Sequence, residues 1–598
     1  MIVARGAARN LFLAGPRPDS YSVPIAQRQQ LKRKWSVRPA DPPAADALAR
    51  KTGVSPVTAQ ILLNRGIADA AAARDFLRID IAQLRDPYEI PGMQAAVDRL
   101  DHAIRRGERI GIYGDYDVDG VSGTALLTRY FRLHETDAPA YIPHRTQEGY
   151  GLNAVGLQAL ADQGVRLLVT VDTGTTAHAE IARARELGMD VVVLDHHVPD
   201  ATLPDGATVV NPMLGDVPNP LASVGIAFKT AWALAHRCEE DKQRFAEFLP
   251  SALTLAALGT VADVCPLAGD NRVLVALGLH ELTERPSVGL AAIRRAAGMD
   301  EREIGAGDIA FKFAPRLNAA GRMLDARLAL ELLLTADESR AGQLAAELEM
   351  ANRKRQKVED QILREAVERI EAEGHADERV IVLADDRWHS GVVGIVAARL
   401  VERYARPVFL IGLDGDAGRG SARTIDGFNL KLAIAACERH LISGGGHEKA
   451  GGLSIARDRV DAFTEQMRAV ARETLADEDL AQTVKIDMEV RIEEILPGLF
   501  REIARLAPFG IGNPRPVFCA RGVRVAGVPR VMGRDGKHLQ FFAAQDQASL
   551  RAVGWKMAEL YESLLDAETV DLAFTVQENR WQGRVNLELE LKDVLVRP

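Results

Sequence analysis

The stretch Arg109-Ile-Gly-Ile-Tyr-Gly-Asp-Tyr-Asp-Val-Asp-Gly120 decides how the rest of the sequence is interpreted. Its first half is a short apolar run that ends at a glycine, which is typical of a buried strand. Its second half places three carboxylates, Asp115, Asp117 and Asp119, within five residues. Such closely spaced acids repel one another, and their pKa values would rise unless a cation compensates them. The pattern therefore indicates a strand that ends at a cation site.

A calcium-binding loop is the main alternative for the three aspartates. An EF-hand loop follows a helix and carries a glutamate at its twelfth position. Here a strand precedes the acids, and Leu126 occupies the twelfth position. Gly120 instead permits a tight turn from the strand into a helix. We therefore interpret the motif as a metal site at a strand-to-helix turn.

Three further apolar runs alternate with helical patterns. The runs are Val165–Val171, Met189–Leu194 and Ala207–Val210, and helical patterns such as Ala177–Leu187 separate them. This alternation predicts βαβ units and a parallel sheet. Asp172 directly follows the first run, and Asp195 with His196 and His197 follows the second. Because ligands bind beyond the carboxyl ends of parallel strands, we expect these side chains to meet the first three aspartates in space.

A further aspartate, Asp263, ends the motif Gly259-Thr-Val-Ala-Asp263 in a mostly apolar helical stretch. A carboxylate there needs a partner, and a metal ion would be one. Carboxylates and imidazole without thiolates suit Mn²⁺ or Mg²⁺ better than a structural zinc ion. Two such ions would clamp the attacking and leaving oxygens of a phosphoryl transfer. The set therefore predicts a centre with two divalent ions.

The cysteines argue against other kinds of site. They lie far apart and form no CxxC pair, which disfavours a disulfide scaffold or a cysteine-rich zinc site and fits a reducing cytoplasm. The four are Cys238, Cys265, Cys437 and Cys519. The 47% hydrophobic and 26% charged residues are typical of a soluble protein, and we find no apolar run long enough to predict a membrane span. The net charge of −9 argues only weakly against a nucleic-acid partner, because local charge along a groove matters more than the total.

The chain as a whole predicts an α/β protein with five segments. Residues 1–45 are interpreted as a disordered, basic N-terminal extension, and a long charged helix at 344–374 connects two α/β domains. Beyond it, several short strands at close spacing predict a small barrel, with an OB-fold as the favoured architecture. The remaining boundaries are 46–343 for the first α/β domain, 375–480 for the second and 481–598 for the barrel.

At these residues the sequence resembles the DHH phosphoesterase superfamily and, within it, the exonucleases specific for single strands. The resemblance covers about Lys34 to the end of the chain. It rests on the order of the aspartate and histidine motifs above and on later segments. These are Ala314-Pro-Arg-Leu-Asn-Ala-Ala-Gly-Arg322, Trp388-His-Ser-Gly-Val-Val-Gly394, Gly420-Ser-Ala-Arg423, Gly444-Gly-Gly-His447 and Pro508-Phe-Gly-Ile-Gly-Asn-Pro514. The first domain then resembles a DHH catalytic domain and the second a DHH-associated domain. Thr173 stands where many relatives have asparagine, which leaves the neighbouring ligand intact.

The resemblance implies specific roles at the metal centre. Asp172 is expected to bridge both ions, Asp195 to orient a histidine from outside, and His197 to contact the scissile phosphate. The expected ligands are Asp115, Asp117, Asp119, Asp172, His196 and Asp263. Relatives differ in whether the residue at the position of Asp115 binds a metal ion directly.

Substrate binding is expected from basic and polar side chains outside the acidic motifs. Arg145 follows a strand-like run, and Gly418–Arg423 is interpreted as a glycine-rich loop whose amides could cradle a phosphate. Each arginine taken alone could equally be part of a surface ion pair. The substrate-binding candidates are Arg145, Arg316, Asn318, Arg322, Gln356, Ser421, Arg423 and His447. The barrel combines several arginines with Phe541 and Phe542, a composition that suits single-strand binding, although one of these phenylalanines should face the barrel core.

The resemblance implies a single-stranded-DNA-specific 5′→3′ exonuclease that releases 5′-mononucleotides in DNA recombination and repair. A phosphodiesterase for short oligonucleotides or cyclic dinucleotides is the alternative, and a scaffold without catalysis is disfavoured because every expected ligand is present. The implied partners are single-stranded DNA, a single-stranded-DNA-binding protein and a RecQ-type helicase. A monomer in the cytoplasm, without a membrane partner, is expected.

Overall fold

The computed structural model describes residues 33–145, 147–237, 239–300, 302–581 and 584–597. Most of the predicted N-terminal extension, 1–32, lies outside the described residues. The remainder of it is not disordered. Lys34–Val37 (β1) pairs in parallel with Thr483–Ile486, and a helix begins at Pro42. Trp35 helps to hold this segment in place, because its indole donates a 2.7 Å hydrogen bond to Asp593 and its ring packs on an apolar cluster.

Three short helices follow β1: Pro42–Thr52 (α1), Pro56–Asn64 (α2) and Ala70–Leu77 (α3). Their apolar residues share one hydrophobic core with the barrel far along the chain. The predicted boundaries place most of this stretch in the first α/β domain. An amphipathic helix shows which face is buried but carries no signal of what covers it, which is why the packing partner could not be foreseen.

The first sheet is parallel, as predicted, with strand order β3-β2-β4-β5-β6. Its elements are Met93–Arg106 (α4), Ile110–Gly114 (β2), Val118–Leu133 (α5), Ala140–Tyr141 (β3), Ala154–Asp162 (α6), Leu167–Val171 (β4), His178–Glu186 (α7), Asp190–Leu194 (β5) and Ala207–Val210 (β6). The central strands are buried and apolar because helices cover both faces.

A helical layer completes the first lobe. It comprises Ser223–Ala235 (α8), Glu239–Ala262 (α9), Gly269–Glu284 (α10), Val288–Ala296 (α11), Ala306–Asp308 (α12), Ala314–Met323 (α13) and Arg327–Leu334 (α14). Within the described ranges, α9 is the one helix whose length and apolar composition would suffice to cross a membrane. Most of its apolar part is buried against neighbouring helices, as in the core helix of a folded domain.

The predicted connecting helix is Glu338–Ala372 (α15), which begins six residues earlier than expected. Asp337 caps its first turn by accepting a 2.9 Å hydrogen bond from the Arg340 amide. Its first half packs Leu344 and Leu348 into the core of the first lobe, and its second half packs Ile362 and Ile370 into that of the second lobe. The helix therefore joins the two lobes through both hydrophobic cores.

The second lobe is a five-stranded sheet in the order β10-β11-β9-β8-β7. Its elements are Ile381–Asp385 (β7), Val393–Tyr404 (α16), Val408–Asp414 (β8), Ala417–Arg423 (β9), Leu430–Ala436 (α17), Ser443–Gly446 (β10), Ala450–Ala456 (β11) and Val460–Thr474 (α18). The prediction of a glycine-rich loop at Gly418–Arg423 is wrong, because this segment is the central strand β9. A Cβ at Gly420 would lie within 3.0 Å of Ile411 and Leu453, so packing leaves no room for a side chain there. The amides of β9 serve the sheet and cannot cradle a phosphate.

The barrel is closed, with five main strands, and matches the predicted OB-like architecture. The remaining elements are Thr483–Ile486 (β12), Met488–Glu489 (β13), Pro497–Ala504 (α19), Phe518–Met532 (β14), His538–Gln545 (β15), Ala548–Gly554 (β16), Tyr561–Leu565 (α20), Thr569–Trp581 (β17) and Arg584–Arg597 (β18). Pairing of β14 with β17 closes the ring. Phe541 faces the core and Phe542 is 55% exposed, as the alternation along a strand predicts.

Candidate metal centre and substrate cleft

The ends of the parallel strands form one row. Gly114 pairs with Val171, Val171 with Leu194, and Leu194 with Val210. The next residue of each strand is therefore at the same edge of the sheet, which places Asp115, Asp172, Asp195 and Asn211 side by side. This register is the reason why acids separated by up to 80 positions meet in space.

Asp117 and Asp119 enter from the turn into α5. The Asp117 carboxylate caps this helix by accepting hydrogen bonds from the amides of Asp119 and Gly120, at 2.9 and 3.3 Å. The Asp119 carboxylate is buried and accepts from the amides of Ser223 and Val224, at 2.7 and 3.0 Å. Asp119 thus lies beside the row and anchors the N-terminus of α8.

Asp195 organises the two histidines. Its Oδ1 accepts from the amide of His196 at 2.8 Å and lies 2.7 Å from Nδ1 of His197. Burial alone would lower the pKa of His197, but the hydrogen bond and charge of Asp195 outweigh it and raise that pKa to about 9. Asn211 completes the support by donating to the His197 carbonyl at 2.9 Å.

Asp172 lies at the centre of the row. Its backbone φ is 64°, in the left-handed region that aspartate adopts only occasionally. The Ser223 hydroxyl donates to its Oδ1 at 3.1 Å, and Nε2 of His196 is 3.4 Å from the same oxygen. The Tyr150 hydroxyl donates to its carbonyl at 3.3 Å.

Asp263 closes the site from the end of α9. Its Oδ2 is 3.7 Å from Nε2 of His196. The thiol of Cys265, which sequence reasoning assigned no role, donates to this oxygen at 3.1 Å. Burial, and then the charges of Asp263 and Asp119, raise the pKa of the Cys265 thiol.

The carboxylates destabilise one another electrostatically. Burial, and then the charges of neighbouring carboxylates, hold the pKa values of Asp115, Asp119 and Asp172 well above their usual range. Oδ1 of Asp115 is buried and has no hydrogen-bond partner among the described residues. Both observations are those expected of a cluster that compensates its charge with cations.

Three groups of side chains have ligand atoms close enough to hold a metal ion. They are Asp115 with Asp117 and Asp172; Asp172 with His196 and His197; and His196 with Asp263 and Cys265, all ligand atoms in a group lying within 4.8 Å of one another. Five of the six predicted ligands belong to these groups. Asp119 stands outside them, so its ligand role stays a prediction.

A cluster of arginines lies near the acids, close enough for Arg145 to interact electrostatically with Asp115 and Arg322 with Asp117. Burial, and then the like charges of Arg145, Arg355 and Arg423, lower the pKa of Arg322 to about 9. Arg322 donates to the Gly391 carbonyl at 2.7 Å, and the Arg145 guanidinium lies 4.7 Å from the centre of the Tyr116 ring. In the part of the chain that the structure describes, Arg145, Arg322 and Arg423 have no carboxylate in an ion pair, so their charge is available to a phosphate.

Ser421 adjoins this cluster at the N-terminus of α16. A Cβ at Gly394 would lie 3.2 Å from the Ser421 hydroxyl and 3.6 Å from Nη2 of Arg423. Helix N-termini attract anions through their free amides and the helix dipole. The hydroxyl, the guanidinium and the positive end of the helix dipole therefore lie together and could bind an anion, although the amides of Val393 and Ile395 already donate to the carbonyls of His389 and Val392.

The other substrate-binding candidates differ in position and in whether their side chains are already paired. His447 lies on the exposed hairpin after β10, with its ring stacked 6.2 Å from that of His197, so it joins the second lobe to the metal centre. Arg316 is not free for substrate, because it pairs with Glu349 at 2.7 Å and donates to the Lys312 carbonyl. Asn318 is half-buried on α13, and Gln356 is exposed on α15. Arg355, also on α15, is buried in an ion pair with Glu359.

Comparison with known families adds to this geometry. The DHH family N-terminal domain matches residues 109–260, the DHHA1 domain 377–473 and the RecJ OB domain 486–593. The single-stranded-DNA-specific exonuclease RecJ of Bacillus subtilis is 35% identical over 570 residues, which cover 94% of this chain and 71% of that protein.

The chain belongs to the RecJ family.

Other RecJ proteins give the same result. The Thermus thermophilus RecJ is 35% identical over 84% of this chain and 71% of its own length. The Escherichia coli RecJ is 33% identical over 83% of this chain and 87% of its own length. The crystal structure of T. thermophilus RecJ with Mn²⁺ superposes with a TM-score of 0.80 at 32% identity, covering 94% of this chain and 80% of that one. The crystal structure of T. thermophilus RecJ with Mg²⁺ superposes with a TM-score of 0.75 at 31% identity, covering 94% of this chain and 79% of that one. RecJ structures thus hold Mn²⁺ or Mg²⁺, and the acids described here could hold such ions.

Sequence reasoning missed several residues of this RecJ centre. Ser223, Tyr150, Asn211 and Cys265 all contact the motif residues. Only Asn211 had a signal, since it directly follows a predicted strand as the acids do. The others come from segments whose positions depend on tertiary packing.

Proposed function

We propose that this chain is an exonuclease specific for single-stranded DNA that hydrolyses phosphodiester bonds with divalent metal ions. The proposal includes 5′→3′ polarity, release of 5′-mononucleotides and a role in DNA recombination and repair. One observation carries it: a row of carboxylates with His196 lies close to arginines that, among the described residues, form no ion pair with a carboxylate. Acids for cations and arginines for phosphates are the two halves of a phosphodiesterase site.

The metal centre would hold two ions. Asp172 belongs to two of the three ligand groups and His196 to two, so neighbouring sites would share ligands. Asp115, Asp117, Asp172, His196 and Asp263 would be the ligands, with Asp119 holding α8 in place and serving as a further ligand. When bound, Mn²⁺ or Mg²⁺ would act as a Lewis acid on the scissile phosphate.

His197 would contact the scissile phosphate. Asp195 fixes its ring through Nδ1, which leaves Nε2 directed outward, 3.2 Å from the Tyr150 hydroxyl. An imidazolium held in this way would stabilise the negative charge that develops on the phosphoryl oxygens. His447, stacked on the same ring, would approach the phosphate from the second lobe.

The arginine cluster would bind the strand and its 5′ phosphate. Arg145, Arg322 and Arg423 repel one another without a ligand, and a phosphate dianion would relieve that repulsion. Ser421 would add a hydrogen bond to the same phosphate, and the dipole of α16 would favour its negative charge. Gln356, Asn318 and Arg316 are proposed as further contacts to the strand. Arg316 would first have to release Glu349, with which it forms an ion pair.

The barrel would hold the strand beyond the cleft, with exposed Phe542 available for base stacking. We further propose a monomer in the cytoplasm that works with a single-stranded-DNA-binding protein and a RecQ-type helicase. For the domains, we propose the predicted division with one change: residues 42–77 are grouped with the barrel, whose core they share.

The test is digestion of end-labelled DNA. Single and double strands, with and without a 5′ phosphate, are incubated with the purified protein in Mn²⁺, in Mg²⁺ and in EDTA. We expect metal-dependent release of mononucleotides from single strands, starting at the 5′ end, and none from Asp117→Ala. A single strand left intact in both metals would contradict the proposal, and release from the 3′ end would contradict the polarity.

A phosphodiesterase for short substrates is the alternative. Substrates of two to five nucleotides and a cyclic dinucleotide are compared with a long strand at equal concentrations of ends. A higher kcat/KM on the short substrates would favour the alternative. The proposed exonuclease instead gains from length, because the barrel binds the strand.

A further inference from the structure

Cys265 lies within the metal centre, although the proposed nuclease needs no thiol. Its side chain is buried, and its Sγ is 3.1 Å from Oδ2 of Asp263. Nε2 of His196 is 3.7 Å from the same oxygen, and the ligand atoms of all three residues lie within 4.8 Å of one another. A nitrogen, an oxygen and a sulfur therefore converge at one end of the centre.

Two of the three separations between these atoms suit a tetrahedral ion, and the third lies within 4.8 Å. Ligand atoms about 2.0–2.3 Å from such an ion are about 3.3–3.8 Å from one another. The separations of 3.1 and 3.7 Å need to change by only a few tenths of an ångström. Three protein ligands are also the number that zinc has where its fourth position stays open.

The surroundings independently indicate a place for cations. Oδ1 of buried Asp115 has no hydrogen-bond partner within the described ranges, and Asp172 links its group to that of His196. Mn²⁺ and Mg²⁺ prefer oxygen and nitrogen ligands, whereas thiolate selects softer ions. Cys265 thus offers this centre a ligand that only a thiophilic ion would use.

We propose that His196, Asp263 and Cys265 capture thiophilic divalent cations, Zn²⁺ or Cd²⁺, at a site that overlaps the proposed Mn²⁺ or Mg²⁺ site and inhibits hydrolysis. On capture the S–H bond breaks, its proton passes to solvent, and the thiolate sulfur binds the ion. Mn²⁺ or Mg²⁺ would not use the thiol as a ligand. The inference rests on the proposed function, because His196 and Asp263 serve both kinds of ion.

The test measures metal binding directly on the full chain. Protein stripped with EDTA is titrated with Cd²⁺ while the ultraviolet charge-transfer absorption of a Cd–thiolate bond is followed, and calorimetry gives the affinities for Cd²⁺, Zn²⁺ and Mn²⁺. We expect one such bond per chain, lost in Cys265→Ser and in Cys265→Ala. Cd²⁺ and Zn²⁺ should bind these variants at least about tenfold more weakly, with a smaller change for Mn²⁺.

The other cysteines provide matched controls. Cys437 and Cys519 are buried thiols in the cores of the second lobe and the barrel, so Cys437→Ser and Cys519→Ser should keep the absorption, as should Cys238→Ser. Absorption that persists in both Cys265 variants would overturn the inference. Equal inhibition by Zn²⁺ in wild type and variants, each relative to its own Mn²⁺-supported rate, would do so as well.

The two proposals can fail separately. A chain with the Cd–thiolate bond but without Mn²⁺-dependent hydrolysis would support the capture site and contradict the nuclease. A chain that hydrolyses single strands but binds Cd²⁺ without Cys265 would contradict the capture site alone.

Discussion

Asp172 combines two unfavourable features of the centre, a left-handed backbone and a carboxylate repelled by its neighbours. Its φ of 64° is rarely adopted by residues other than glycine. Burial, and then the charges of Asp119, Asp117 and Asp115, raise its pKa. Because the residue carries both backbone and electrostatic strain, we conclude that it is retained for function and not for stability.

We predict that Asp172→Asn stabilises the metal-free protein while it abolishes hydrolysis. Asparagine tolerates the left-handed region and can still accept the hydrogen bond from Ser223. It removes a buried carboxylate that its neighbours Asp119, Asp117 and Asp115 repel. Thermal unfolding in EDTA should therefore show a higher midpoint for the variant.

Mn²⁺ should reverse the order of the two unfolding midpoints, so that wild type becomes the more stable protein. An ion that binds only the folded state raises the midpoint of the wild type by mass action, and the variant should respond much less. A variant with a lower midpoint than wild type in EDTA, or with an equal response to Mn²⁺, would contradict the role given to Asp172.

At the scale of elements, one carboxylate joins α2 to the segment before the barrel. Oε2 of Glu502, on α19, accepts from the Ser55 amide at 2.8 Å and from the hydroxyls of Ser55 and Thr58 at 2.6 Å each. Burial alone would raise the pKa of Glu502, but these hydrogen bonds outweigh it and lower that pKa below its ordinary value of 4.5. The charged form therefore stabilises the fold.

We predict that Glu502→Gln costs about 1 kcal/mol at neutral pH and little in acid. The value lies below the 1.5–3 kcal/mol typical of charged hydrogen bonds because the carboxylate is partly exposed. A group with a lowered folded pKa stabilises the protein fully above its unfolded pKa, and this contribution is lost as pH falls through the folded pKa. The measurement is urea unfolding of wild type and variant from pH 7 down to a pH below the folded pKa of Glu502.

Glu493→Gln is the matched control. Glu493 is an exposed carboxylate nearby that pairs with Arg491 at 2.9 Å, so its removal should change little at any pH. A Glu502→Gln effect that is constant over the whole pH range would show that the charge does not matter.

Strands β2, β4 and β5 of the first sheet could be predicted from sequence because two signals agreed: each is a short apolar run, and each is followed directly by an acid. β9 could not, since Gly418 and Gly420 have low strand propensity and only neighbouring side chains explain them. The convergence of Asp115, Asp172 and His196 followed from the rule for parallel sheets. The hydrogen bonds of Asp119 to α8 depended on a helix packing that no local pattern encodes.

At the scale of the whole molecule, Arg272 connects the first lobe to the barrel side. Its guanidinium is buried, lies 3.9 Å from the centre of the Phe76 ring, and donates to the carbonyls of Leu506, Arg505 and Phe76 at 2.8, 3.3 and 3.2 Å. The Leu267 amide, four residues after Asp263, donates to the Ile511 carbonyl at 2.7 Å. The segment before the barrel thus supports the chain that carries a proposed metal ligand.

We predict that Arg272→Met loosens this connection. Methionine fills similar space but leaves buried carbonyls without donors, at a cost of about 2–4 kcal/mol. Hydrogen exchange should accelerate at residues 70–77 and 505–514. Arg294→Met is the control, because Arg294 is also buried and donates to carbonyls of Met299, Thr283 and Arg302 within the first lobe. Faster exchange confined to residues 283–302 in both variants would contradict the prediction.

The core shared by α1–α3 and the barrel has a consequence for protein synthesis. These helices leave the ribosome early, yet the strands that cover their apolar faces are translated about 450–550 residues later. At about 5–20 residues per second, the interval is about half a minute to two minutes. During that time the nascent chain carries an apolar surface that its own barrel cannot yet cover, and such exposed surface favours aggregation.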